Sequence, residues 1–119
     1  FLWYITVDSR LKQQYINIIS DLNNEVYLST ASVWECIIKV QIGKLDLPDR
    51  ASKYIQDRRE IHQILSLEID EKAIAHLEDL PLIHRDPFDR IIISQAIENN
   101  MKLITEDLKI KQYNLPIFI

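Results

Sequence analysis

The segment HRDPFDRIII, residues 84–93, places Asp86 and Asp89 on either side of Pro87 and Phe88, with Arg85 and Arg90 next to them. Two more acids stand out by their surroundings. Glu35 lies between Trp34 and the apolar Cys36, Ile37 and Ile38, and Asp107 follows Thr105 by two residues. Carboxylates gathered at one site repel one another and push at least one pKa upward unless a cation is bound between them. Such hard oxygen ligands select Mg²⁺ or Mn²⁺. A single cysteine excludes a thiolate-rich zinc site, and the three histidines, His62, His76 and His84, lack metal-ligand spacing among themselves. No role is assigned to them.

Each acid also has a purely structural reading. Ser32-x-x-Glu35 matches a capping box, and Glu35 and Lys39 are spaced for a weak surface ion pair. Asp86 followed by Pro87 is a standard helix start, which puts Asp89 at the third helical position, where negative charge suits the dipole. Thr105 or Asp107 could cap a last helical turn. Context separates the two readings. An apolar neighbourhood does not suit an idle Glu35. Asp86 already suffices as a cap, which leaves Asp89 for other work.

The elements that would position these acids follow from periodicity. A short amphipathic helix is expected near residues 12–22, and EVYLS (25–29) reads as a buried strand. In TASVWECIIKVQIGK, Val33, Ile37 and Val40, with Trp34 and Ile38, recur at helical spacing, and Gly43 sits where such a helix ends. A polar helix is expected across 51–63, a strand at 64–69, and a helix from Asp70 to about Leu80, stopped by Pro81. The isoleucine-rich helix from Pro87 to about Asn99 has almost no polar face and should be deeply packed. KLIT (102–105) reads as a strand, EDLKIKQY as a helical turn and PIFI as a final strand. Strands alternating with helices predict an α/β fold, a parallel sheet with helices on both faces. Glu35, Asp89 and Asp107 then fall at strand-to-helix junctions on the edge where ligands bind.

Bulk composition is consistent with this. The 119 residues suit one domain, 1–119, with 47% hydrophobic and 27% charged residues. One glycine rules out a dinucleotide fingerprint or a P-loop. The lone cysteine fits a cytoplasmic protein, and FLWYI, the longest apolar run, is far too short to span a membrane and reads as the end of a buried segment. A net charge of −4 argues against coating nucleic acid by charge alone. It leaves room for an enzyme whose acids are neutralised by cations.

On EVYLSTASVWECIIKVQIGKLDLP, LPLIHRDPFDRIIISQAI and KLITED, the chain resembles the PIN domain family, and more narrowly its VapC-type toxins. The resemblance covers essentially the whole chain. It implies a three-layer fold and a Mg²⁺- or Mn²⁺-dependent ribonuclease with about four acids at the carboxyl edge of the sheet. Glu35, Asp89 and Asp107 match three of these, Thr105 looks like the supporting hydroxyl, and Asp86 would act from behind the ligands. Lys39, Lys44, Arg85 and Arg90 are candidates for the RNA backbone, whereas Arg58 and Arg59 read as a solvated face. The family also implies a homodimer and an antitoxin laid across the acidic groove.

The family's first acid sits on an N-terminal strand, in a segment like LLDTHVLLW, whereas this chain starts at FLWYI, just downstream. Asp8 corresponds to a later turn and is not a replacement. The expectation is a chain without its first ligand and first central strand, through an omitted N-terminal stretch in preference to truncation or a degenerate gene. A non-catalytic PIN-like interaction module is the rival reading, separable by calorimetric Mn²⁺ titration. A phospho-accepting receiver domain is a weaker one, since its acceptor Asp and late lysine cannot be placed.

Overall fold

Ser29 ends one element and starts the next. Strand β1 (Tyr27–Ser29) runs directly into α2 (Thr30–Gln41), where the Ser29 hydroxyl accepts the Ala31 N–H at 3.1 Å. The helix thus begins a full turn before the Ser32 cap expected from the capping-box pattern, and Glu35 lies in its second turn. The computed structural model describes residues 1, 2, 6 and 8–119, in two compact units, Phe1–Leu67 and Glu68–Ile119. FLWYI, read as the end of a buried segment, lies largely outside the described residues.

The first unit holds α1 (Gln13–Ser20), β1, α2, α3 (Ala51–Ile61) and β2 (Leu65–Leu67). β1 and β2 pair in parallel, with Tyr27 opposite Leu65, Leu28 opposite Ser66 and Ser29 opposite Leu67. Both helices of the crossover end in the same way. After α2, the Lys44 N–H reaches the Lys39 carbonyl and the Gly43 N–H the Val40 carbonyl, with Gly43 at φ 76°. After α3, the Ile64 and Gln63 N–H groups repeat this on Arg59 and Glu60, with Gln63 at φ 58°. These are Schellman closures, in which a left-handed residue turns the chain out of the helix. Among the described residues of this unit, Tyr15, Ala31, Ala51, Ile55 and Ile64 are the buried apolar ones. Asp8 sits in a turn where the Arg10 side chain and backbone N–H hold its carboxyl down at about 2. That agrees with its reading as a turn residue.

The second unit contains α4 (Glu71–Ala75), a 3₁₀ turn (His76–Glu78), α5 (Pro87–Glu98) and α6 (Leu108–Lys111). Asp70 caps α4 through the Ala73 N–H, as expected, but the helix tightens at His76 well before Pro81. α5 carries the expected burial: Ile91, Ile93, Ser94, Gln95 and Ala96 are all buried. Its core partners are Leu80, Ile110, Tyr113 and Ile117. Past α5, Asn100 at φ 51° forms a third closure of the same type, with the Met101 N–H on the Ala96 carbonyl.

The strands are shorter than expected, for local reasons. Leu103 and Phe118 form a single parallel bridge in place of strands over 102–105 and 116–119. The Thr105 hydroxyl takes the Asp107 N–H and turns the chain away, while Pro116 has no N–H to offer a ladder. β2 stops at Leu67 because its partner there, Ser29, is where β1 turns into α2; the next carbonyl, that of Glu68, accepts the buried Gln95 amide at 3.2 Å. The α/β class stands: parallel strand pairs with helices between them. Among the described residues, no helix is long and apolar enough to cross a membrane.

One buried hydroxyl organises the second unit. Tyr113, 5% exposed, accepts the His84 N–H at 3.0 Å and an Arg90 N–H at 3.1 Å, and donates to the His84 carbonyl at 3.2 Å. Arg90 also donates to the carbonyls of Leu77, Leu80 and Pro81. These carbonyls follow a helix end and have few partners of their own. Ser29→Ala should cost about 1 kcal/mol in urea unfolding while Ser32→Ala costs little, since only Ser29 caps α2. Tyr113→Phe should cost about 1–3 kcal/mol by the same measurement, because three polar groups lose their partner in a buried place.

Candidate metal centre

Asp86 and Pro87 do at the start of α5 what their types predict. The Asp86 Oδ1 accepts the N–H groups of Phe88 at 2.8 Å and Asp89 at 3.4 Å, and proline occupies the first helical position without leaving an unsatisfied donor. Asp86 thereby orients the turn that carries Asp89. The start of α6 is built alike. Asp107 caps it, its Oδ1 accepting the Lys109 N–H at 2.9 Å, and the Thr105 hydroxyl secures the Asp107 backbone at 3.1 Å. Asp107 rather than Thr105 is the cap.

Capping does not exhaust these acids. The Asp89 Oδ2 lies 3.0 Å from His84 Nε2, and the Asp107 Oδ2 lies 3.8 Å from the same nitrogen. One ligand atom from each of His84, Asp89 and Asp107 falls within 4.8 Å of the others. The Asp89 and His84 side chains are 19% and 16% exposed, whereas Asp107 is 43% exposed. The group is therefore held from inside the unit and open on the Asp107 side. Two carboxylates this close favour a divalent cation and hard-ion chemistry.

His84 is the residue that sequence reasoning missed. Spacing along the chain gave no sign of it, because its partners are five and 23 residues away and meet it only in space. Its one signal was adjacency to the DPFD motif.

The remaining candidates lie within their own units. Glu35 is partly buried on α2 in the first unit, and among the described residues it forms no ion pair with Lys39. Lys39, Lys44 and Arg85 are exposed. Arg90, expected to contact RNA, has its guanidinium engaged by three carbonyls and the Tyr113 hydroxyl. Arg59 likewise donates to the Ile64 carbonyl, and Arg58 stacks over the Tyr54 ring at 5.6 Å. The Cys36 thiol is pushed up by burial, which keeps it protonated and unsuited to metal binding or attack.

The chain is similar to known proteins over much of its length. Ribonuclease VapC16 of Mycobacterium tuberculosis (strain ATCC 25618 / H37Rv) is 36% identical over 59 residues, 50% of this chain and 42% of that relative. The match therefore spans less than half of the relative's length. No solved structure matches the chain. The PIN domain family matches over residues 1–115. With that match across nearly the whole chain, the chain belongs to the PIN domain family.

Proposed function

We propose that this chain, as a single domain over 1–119, is a Mg²⁺- or Mn²⁺-dependent endoribonuclease, the VapC-type toxin of a toxin–antitoxin pair. The observation that carries the reading is the meeting of Asp89 and Asp107 around one point. Similarity to a ribonuclease over half the chain supports the substrate class. A cytoplasmic location, a homodimer and a cognate antitoxin are part of the same proposal, taken from the family resemblance.

Hydrolysis of a phosphodiester needs an activated water, in-line attack and relief of charge on the phosphate and the leaving oxygen. Divalent ions held by carboxylates supply all three when bound. The donor set fits such an ion, with oxygen ligands from Asp89 and Asp107 on rigid helix starts and one side open to solvent. Glu35 is proposed as a further ligand from its place in the family pattern alone. One of the carboxylates would accept the proton of the attacking water. Asp86 would keep Asp89 aimed through the helix start, and Thr105 would do the same for Asp107. The exposed Arg85, Lys39 and Lys44 are proposed to meet the RNA backbone.

Asp89→Asn should lower metal-dependent RNA cleavage at least about 100-fold with the circular dichroism spectrum unchanged, since it removes a ligand charge and leaves the helix start intact. Cleavage at the parental rate would refute the ligand assignment. Asp86→Asn should retain most activity, because Asn caps about as well as Asp.

A further inference from the structure

His84 is held at three points, two on its backbone and one on its ring, before the imidazole reaches the acids. Its backbone N–H and carbonyl are both bound by the Tyr113 hydroxyl, at 3.0 and 3.2 Å. Its ring Nδ1 accepts the Asp86 N–H at 3.3 Å. An accepting Nδ1 places the ring proton on Nε2, a tautomer assigned from the hydrogen-bond partners. The opposite tautomer would set two N–H groups against each other. The Nε2–H therefore points at Asp89, 3.0 Å away, with Asp107 at 3.8 Å.

A nitrogen that carries a proton has no lone pair for a cation, so this ring is not built as a third ligand. It is built as a donor. A carboxylate that accepts at one oxygen keeps lone pairs for a metal, and a donor between two carboxylates offsets part of their repulsion.

We propose that His84 is a positioning residue: its Nε2–H fixes the Asp89 carboxylate, with Asp107 3.8 Å away as an electrostatic neighbour, in the arrangement that receives a divalent cation. The proposal rests on Asp89 and Asp107 being cation ligands. It also accounts for why Tyr113 grips the His84 backbone so fully. A ring that merely filled space would not need its peptide held on both sides.

The test is calorimetric titration of the purified protein with Mn²⁺, for the parent, His84→Ala and His84→Gln. His84→Ala should weaken Mn²⁺ binding about 10–100-fold, the usual cost of losing a hydrogen bond to a ligand. His84→Gln should restore most of the affinity, because its amide keeps an N–H donor and has no imidazole lone pair. Parental affinity in His84→Ala would overturn the proposal. A His84→Gln variant as weak as His84→Ala would overturn it too, by making the imidazole itself a ligand. A parent that binds no Mn²⁺ would refute the cation reading of Asp89 and Asp107, and the positioning role with it. Nitrogen-detected imidazole NMR of the metal-free parent needs no variant. It should show His84 protonated at Nε2, and a proton on Nδ1 instead would overturn the proposal.

Discussion

The Tyr113 hydroxyl is the contact on which the candidate centre depends. A phenol offers one hydrogen and two lone pairs, and here all are used: two donors come in from His84 and Arg90, and one hydrogen goes out to the His84 carbonyl. The ring itself is buried in the apolar cluster with Ile93, Ile110 and Ile117. A hydroxyl in that setting is rigid, and what it holds is rigid as well. It joins the segment before α5, the body of α5 and the end of the chain. Asp107 and Asp89 belong to two of those three parts, and His84 to the third.

The same economy runs through the helix starts. Asp86 and Asp107 each cap a helix with one oxygen, so the backbone that carries each site acid is set by a hydrogen bond spanning two or three residues. Asp86 is a cap whose geometry serves its neighbour Asp89. Asp107 does both tasks itself, with Oδ1 on the Lys109 N–H and Oδ2 toward His84. The sharp reading and the bland reading of these acids are therefore compatible. Arg90 marks the other side of this economy. A cation next to the site acids is used for carbonyls of the 3₁₀ turn and the following loop.

Much of this was legible in residue types and spacing. Asp86-Pro87, the isoleucine run, Asp70 and Gly43 each act locally, through a cap, a buried face or a left-handed turn, and the chain neighbours that decide such features are adjacent in sequence. The less legible features were those with competing local options. Ser29 and Ser32 both stand at the start of α2, and which of them caps depends on where β1 releases the chain. Thr105 could have continued a strand, but its hydroxyl took a turn N–H instead.

The sequence by itself determined that this is an α/β chain with acids at its helix starts, residues whose oxygens suit hard cations. The reason is that capping, periodicity and ligand hardness are properties of residues and their immediate neighbours. Only the tertiary structure decided which groups share a site. Asp89 and Asp107 meet because α5 and α6 pack on one apolar cluster. His84 joins them because Tyr113, 29 residues away, holds its peptide in place. Arg90 leaves them because its nearest acceptors are carbonyls up to 13 residues back in the chain. Partners at such separations are chosen by packing, and no spacing rule reads them.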